Sequence, residues 1–403
     1  MRILIVDDDL IIRTILRRYL SSWGYDVVEA ADGLVAWDIL QQERINFVVT
    51  DWMMEGLDGL GLCRRIREQS GERYIYVILL TARTNKDDLV EGMESGADDF
   101  VEKPFNKEEL QVRIKAGERI LRLEQDLEEK NRELTASYEK LRGAYEIISR
   151  DLEAAARIQR RLIPEKADTL LGYRFDWIFC PSSFVAGDTF NIFRLDEGHL
   201  CFYLLDVAGH GIPAAFLSTT LSRVLSPSQQ GGLLKRVSLD GKRYVIAPPR
   251  EVVRELNNRF ESTGELVEYF TIVYGIIDTT EGSVVLTQAG HPAPLYLPLE
   301  GGCREIGDGG FPVGMIPNID YEERELVMAP GGRLFVYSDG VTDCMDRDNL
   351  KSFSLKRLIT TLEACRERPL RELMEYVEET LVAFNGSREF VDDISFLAIE
   401  RVE

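Results

Sequence analysis

Aspartates close one apolar run after another in this 403-residue sequence. The string LIVDDDLIIR ends a strand-like run in Asp7, Asp8 and Asp9. Like charges stacked where a strand stops repel one another unless a cation joins them. VVTD brings Asp51 to the end of another run, VILLT ends in Thr81, and DDFVEK places Lys103 just past a further one. The second half repeats the theme: VAGDTF carries Asp188, DVAGHG carries Asp206, YSDGVTD carries Asp339, and VDDISF carries Asp392 beside Asp393. Each stands at a strand margin next to glycine or another acid, and glycine permits tight turns and close backbone approach. Singly these are turn residues. As a set brought together by folding, they make a two-metal centre, and hard carboxylates with water suit Mn²⁺ or Mg²⁺ over zinc.

The elements that must position these residues fall into three stretches. Residues 1–105 alternate the apolar runs RILIV, YDVVEA, NFVVTD, YIYVILLT and DDFVEK with helix-length stretches such as DLIIRTILRRYLSSWG. That alternation predicts an α/β fold, a doubly wound five-stranded parallel sheet. Ligands bind such sheets at the carboxyl ends of the strands, so Asp7, Asp8, Asp51, Thr81 and Lys103 converge on one crevice. Asp9 reads as a solvated turn residue. Residues 106–162 lose proline and long apolar runs. Leu127, Leu134, Leu141, Ile148, Ala155 and Leu162 recur at sevens, with Tyr138, Tyr145 and Leu152 between them. This is a heptad seam with Asn131 at an a position, which favours a parallel pair in fixed register. The alternative is one amphipathic helix packed on its own domain. Pro164 disfavours helix at Ile163 and ends the stretch. From residue 170 onward, strands come in neighbouring groups (YRFDWIF, CFYLLDV, TIVYGIID, SVVLTQAG, RLFVYSDG, DISFLAIE) separated by helices such as PPREVVRELNNRFES, which predicts an α+β domain with antiparallel sheets. Ser226 to Tyr244 reads as a polar surface loop.

Composition excludes several classes. The formal net charge is −21, so a general nucleic-acid-binding face is not expected. No apolar run approaches the roughly 20 residues of a membrane helix, and MRILIVDDDL turns acidic too early for a signal peptide. The six cysteines are scattered without CxxC pairs, which fits reduced thiols in a cytoplasm. Three histidines, His199, His210 and His291, are too few for a multi-histidine zinc site.

The strings LIVDDD, VVTDWMMEGLDGL, VILLTA and DDFVEKPF, in that order, resemble the response-regulator receiver domain over residues 1–120. The resemblance implies Asp51 as phosphoacceptor, with a Mg²⁺ held by Asp8, Asp51 and the Met53 carbonyl and Asp7 orienting its water. Lys103 and Thr81 would bind the phosphoryl group, and Phe100 would follow as the aromatic switch. From about Ala154 to Glu403, AARIQRRLIP, DVAGHG, QAGHPAPL, GFPVG, PGGRLFVYSDG and VDDISFLAI resemble the SpoIIE-type branch of the PPM/PP2C serine/threonine phosphatases, an α+β fold with two antiparallel sheets flanked by helices. That resemblance implies Asp206 bridging two Mn²⁺ or Mg²⁺ ions, Asp188 and the Val207 carbonyl on one, and Asp339 and Asp392 on the other, with Asp393 as the alternative to Asp392. A water bridging the ions would attack phosphorus in line, with no covalent phosphoenzyme. His210 would order a water or donate a proton, unless it only packs or caps a helix; His291 is expected to be structural. Ala186 and Asn191 depart from the family pattern, neither at an expected ligand position, and the phosphate-gripping arginine of the eukaryotic relatives has no counterpart.

The expected organisation is therefore a receiver at 1–120, a coiled-coil linker helix at 121–162 and a phosphatase domain at 163–403. The expected function is a cytoplasmic two-component response regulator whose phosphorylation at Asp51 controls a metal-dependent protein serine/threonine phosphatase. Its expected partners are a sensor histidine kinase, a phosphorylated STAS-type anti-sigma factor antagonist as substrate, and a second copy in a parallel homodimer through the linker, with no nucleic acid and no membrane. The alternative is a catalytically inactive phosphatase-fold adaptor that sequesters a regulatory protein under receiver control.

Overall fold

A computed structural model of the chain describes residues 1–69, 73–82, 86–166, 169–227, 232–237, 244–260, 269–348 and 350–402. Two compact units divide it, Met1–Ala144 and Tyr145–Glu403.

The first unit alternates strand and helix: β1 (Arg2–Val6), α1 (Leu10–Ser22), β2 (Asp26–Ala30), α2 (Gly33–Gln42), β3 (Phe47–Asp51), α3 (Gly59–Gln69), β4 (Tyr76–Thr81), α4 (Lys86–Glu94), β5 (Asp99–Glu102) and α5 (Lys107–Arg160). All strand pairs are parallel, in the order β2-β1-β3-β4-β5. This is the expected doubly wound sheet. The apolar runs ILIV, FVV and YVILL are buried because helices cover both faces, which is why they read as continuous rather than alternating. Asp9 does more than the sequence reading allowed. It is the N-cap of α1, its Oδ1 accepting from Ile11 N at 2.7 Å, and so it satisfies a donor that the first helical turn leaves free.

Helix α5 is continuous across the change in composition. Its first turns bury Leu110, Ile114 and Leu121 against the underside of the parallel sheet, and Gly117 lets the helix lie directly on Phe47 and Tyr76. Beyond them the heptad residues Leu127, Leu134, Tyr138, Leu141, Tyr145 and Ile148 are each more than half exposed. Over that stretch the seam is not packed on its own domain.

The second unit adds β6 (Tyr173–Cys180), β7 (Thr189–Arg194), β8 (His199–Val207), α6 (Ile212–Val224), β9 (Lys235–Val237), β10 (Tyr244–Ile246), α7 (Pro249–Arg259), β11 (Phe270–Asp278), β12 (Ser283–Ala289), β13 (Leu295–Leu297), β14 (Arg304–Glu305), β15 (Glu323–Val327), β16 (Arg333–Tyr337), α8 (Asp339–Asp343), α9 (Leu355–Ala364), α10 (Leu370–Asn385) and β17 (Ile394–Arg401). Two antiparallel five-stranded sheets, ordered β15-β12-β11-β8-β7 and β14-β13-β16-β17-β6, share an apolar interface that includes Phe202, Leu204, Val273, Val336 and Leu397. Helices α6 and α7 cover the outer face of the first sheet. Helices α9 and α10 cover the second. The polar surface loop expected from Ser226 to Tyr244 needs correction. Among its described residues, Leu233 and Leu234 are buried, and β9 pairs antiparallel with β10. The flanking serines, glutamines and glycines masked a short hairpin whose leucines anchor it. The rest of that stretch lies outside the described residues.

Candidate functional site

In the first unit, the carboxyl ends of β1, β3, β4 and β5 do form one crevice. Ligand oxygens of Asp7, Asp8 and Asp51 lie within 4.8 Å of one another, Asp7 buried, Asp51 half-buried and Asp8 exposed. Lys103 Nζ spans Asp7 Oδ2 at 2.8 Å and Asp51 Oδ1 at 2.7 Å. Parallel register sets Thr81 level with Glu102, and Lys103 N donates to the Thr81 carbonyl at 2.7 Å, so the lysine and the buried threonine flank the same strand ends. Asp7 is fixed by its own turn, where Asp9 N donates to its Oδ1 and Arg13 to its carbonyl. Burial raises the Asp51 carboxyl above its usual range, and the Lys103 hydrogen bond and charge work against that rise. Burial alone would lower the Lys103 ammonium, but the hydrogen bonds it donates to Asp51 and Asp7 outweigh it and hold the group above its ordinary value. Asp51 is thus a half-buried carboxylate held beside a fixed cation. Three oxygens this close suit a small hard ion that keeps some water. Met53 is exposed in the loop after β3, and Phe100 is half-buried on β5 with the Arg113 guanidinium 5.9 Å from its ring centre.

In the second unit, four segments far apart in sequence meet at one edge of the two sheets. Asp188 stands just before β7, Asp206 near the end of β8, Asp339 at the start of α8, and Asp392 just before β17. Close backbone approach gathers them. A Cβ on Gly187 would stand 3.1 Å from the Val207 carbonyl oxygen, and one on Gly340 would collide with the Asp393 carbonyl at 2.2 Å and touch the Asp392 Cβ at 3.5 Å. These glycines let the Asp188 turn reach Val207 and the Asp339 turn reach Asp392. Ser338 ties α8 to β17, donating to the Asp393 carbonyl at 3.1 Å and accepting from Ser395 N at 3.0 Å.

The electrostatics are those of crowded, buried carboxylates. Burial pushes the Asp188 carboxyl well above its usual range, and the charges of Asp206 and Asp393 push it further. Asp206 is pushed up to about 7 by burial and then by Asp339 and Asp392. Asp339 is raised by burial, then by Asp392 and Asp343. Asp188 Oδ2 is fully buried and has no hydrogen-bond partner. A buried carboxylate oxygen left unpaired is costly unless a cation completes it. Carboxylates converging on an orphaned oxygen therefore fit divalent ions.

The adjacent acids separate cleanly. Asp392 is exposed toward the cluster, whereas Asp393 is buried and acts as a brace. Its Oδ1 accepts from Ser182 N at 2.7 Å and Ser182 Oγ at 2.8 Å, and its Oδ2 accepts from Gly187 N at 2.7 Å. It thus holds the turn that carries Asp188. Asp393→Ala leaves those donors unpaired, and we expect a loss of roughly 2–4 kcal/mol in chemical denaturation; an unchanged midpoint would contradict the bracing role. His210 is exposed in the turn before α6. His291 is buried, its Nδ1 2.7 Å from Thr271 Oγ1, and burial lowers it to about 3, so it stays neutral. Thr271 faces Asp206 in register, which places His291 behind the cluster as a structural residue. Asn191 points to the Leu162 carbonyl and away from any ligand role.

Two residues escaped the sequence reading. Gln159, near the end of α5, is buried and clasps the Ala186 backbone, Nε2 donating to its carbonyl at 2.7 Å and Oε1 accepting from its N–H at 3.0 Å. Ala186 lies two residues before Asp188, so the last turn of the long helix touches the turn that carries Asp188 directly. The polar Gln in AARIQRRLIP, on an otherwise mixed helix, was the available signal. Ser338 was hidden inside YSDG beside its more conspicuous aspartate.

Comparison with known proteins agrees with both folds. Residues 196–402 match the family described as Stage II sporulation protein E (SpoIIE), and residues 3–115 match the response regulator receiver domain. The chain belongs to the SpoIIE family and carries a response-regulator receiver domain ahead of that match. It is 30% identical over 266 residues to Protein IcfG of Synechocystis, covering 62% of this chain and 41% of that one. It is 45% identical over 115 residues to a probable transcriptional regulator ycf27 of Porphyridium aerugineum, covering 28% of this chain and 47% of that one. The chain thus spans about half the length, or less, of these curated relatives. The SiaA-PP2C domain of Pseudomonas aeruginosa superposes with a TM-score of 0.53 at 21% identity, over 64% of this chain and 98% of that domain, which establishes a PP2C fold. Among the described residues no helix is long and apolar enough to cross a membrane.

Proposed function

We propose that this chain is a cytoplasmic response regulator in which phosphorylation of Asp51 controls a metal-dependent protein serine/threonine phosphatase. The observation that carries the reading is the second carboxylate cluster, with its orphaned Asp188 oxygen and its raised carboxyls. When bound, two Mn²⁺ or Mg²⁺ ions would supply an activated water and neutralise phosphate charge. Asp206 would bridge them, with Asp188 and the Val207 carbonyl on one side and Asp339 and Asp392 on the other. In the receiver, Asp7, Asp8, Asp51 and the Met53 carbonyl would hold Mg²⁺, and Thr81 and Lys103 would bind the phosphoryl oxygens after transfer from a sensor histidine kinase. Phe100 would shift with them.

The exposed heptad stripe of α5 supports a parallel homodimer, and the Gln159 contact supports a route from that helix to the Asp188 turn. Phosphorylation would bias one of two arrangements of the paired helices. The substrate we assign is a STAS-type anti-sigma factor antagonist phosphorylated on serine or threonine. The test is release of phosphate from such an antagonist by the full chain with Mn²⁺, with and without acetyl phosphate. Acetyl phosphate is expected to raise the rate, and Asp339→Asn is expected to remove it. Equal rates for wild type and Asp339→Asn would favour the adaptor reading instead.

A further inference from the structure

His291 sits behind the carboxylate cluster, where the chain crosses between the two sheets. Strand β12 ends at Ala289 in the first sheet and β13 begins at Leu295 in the second, so residues 290–294 make that crossing. The His291 carbonyl accepts from Gln288 Nε2, and Gly290 N donates to the Gly309 carbonyl at 3.0 Å, which fixes the backbone there. Phe202 and Leu204 on β8 and Val273 on β11 fill the gap between the sheets. Alternation along each strand turns Asp206 and Thr271 into the same gap, near the end of β8. They are cross-strand partners, so their side chains are neighbours.

The ring reaches both ways. On one side its Nδ1 lies 2.7 Å from Thr271 Oγ1, the partner of Asp206. On the other side is β16. Leu295 faces Phe335, and extending that register by two residues brings Ala293 level with Tyr337, two residues before Asp339. Besides burial, what acts on the ring is the Tyr337 backbone, which favours the protonated form as a facing carbonyl does. A neutral imidazole has one N–H. Nε2 is buried without a bonded partner, so it carries that hydrogen toward the Tyr337 carbonyl, outside bonding geometry, while Nδ1 accepts from the Thr271 hydroxyl. Between Tyr337 and Asp339, Ser338 is tied to β17 by two hydrogen bonds, which leaves little slack in that stretch. One buried ring therefore spans from the strand pair that carries Asp206 to the strand end that leads into Asp339.

We propose that His291 is a positioning residue, a strut between the sheets that sets the separation of Asp206 from Asp339 and so the affinity for the ion they share. The assignment rests on the two-metal phosphatase reading and deepens it. The measurement is calorimetric titration of the full chain with Mn²⁺, the signal of the site being the part that Asp339→Asn lacks. His291→Ala and Thr271→Val are each expected to weaken that binding by about tenfold or more, the usual cost of removing an outer support from a metal site. Thr271→Ser keeps the hydroxyl and is expected to stay within about twofold of wild type. Val273→Ala opens a hole in the same interface two residues along β11; it is expected to lower the unfolding midpoint and to leave the Mn²⁺ affinity within about twofold. A plain packing role for His291 would move stability in these variants and affinity in none. Wild-type affinity in His291→Ala or in Thr271→Val overturns the strut. So does a loss in Thr271→Ser or Val273→Ala equal to that in Thr271→Val. Should His291→Ala fail to fold, the two Thr271 variants decide alone. If Asp339→Asn lacks no part of the wild-type signal, the phosphatase reading falls instead.

Discussion

Asp206→Asn should lower Mn²⁺-dependent turnover of p-nitrophenyl phosphate by roughly a thousandfold or more, a loss of several kcal/mol of transition-state stabilisation. The size follows from position. Asp206 is the residue on which the charges of Asp339 and Asp392 converge, and it lies within hydrogen-bonding reach of Asp188. An amide in its place weakens both halves of the site at once. The same change should have the opposite effect on stability when metal is stripped away. Burial and neighbouring acids raise the Asp206 carboxyl to about 7, above its ordinary 3.8. A carboxyl with a raised folded-state pKa favours the folded state fully below the unfolded value, and that advantage is lost as pH rises toward the folded value. The unfolding midpoint of the EDTA-treated protein should therefore fall between about pH 4 and pH 7. Asp206→Asn should flatten that fall, and Mn²⁺ should reverse it in the wild type alone. A metal-free wild type whose stability does not decline over that interval would contradict the crowded-carboxylate description.

The second large effect is in the receiver. Asp51→Ala should abolish labelling by acetyl phosphate, since Asp7 is buried against Lys103 and Asp8 lacks the lysine contact that Asp51 makes. Labelling that persists would move the acceptor to another carboxylate. The variant should also leave Lys103 with Asp7 as its one close carboxylate partner, so the crevice keeps a neutral pair. For that reason the fold should survive, and near-ultraviolet circular dichroism of Asp51→Ala should match the wild type while labelling is lost.

Much of this was legible because strand ends carried the chemistry. In the receiver the βα alternation fixes which residues terminate which strand, and a parallel sheet sends all those ends to one side, so Asp7, Asp51, Thr81 and Lys103 could be grouped before any coordinates. In the second unit the acids could be named, but what brings them together could not be read. That depends on glycines whose missing Cβ admits a neighbouring carbonyl, as at Gly187 and Gly340, and on long-range pairing of β16 with β17. Asp393 shows the limit well. Adjacent to Asp392 and identical to it in type, it differs only in which way its carboxylate turns, and its hydrogen bonds to Ser182 and Gly187 join residues half the chain apart. Asp9 and the β9–β10 hairpin were missed for a different reason. Polar residues at a helix start or around a hairpin look the same as solvated turns until their hydrogen bonds are drawn.

The order of strands in the second sheet has a consequence for biosynthesis. Strand β17 lies between β16 and β6, so the latest strand of that sheet to leave the ribosome is the one that stitches the earliest to the rest. Until it docks, β6 has no neighbour in its own sheet, and Asp392 and the brace on the Asp188 turn are missing. Non-local closure of this kind is slow and leaves apolar strand edges open meanwhile. The Asp188 turn and Asp392 are therefore brought together only once β17 has paired with β16 and β6.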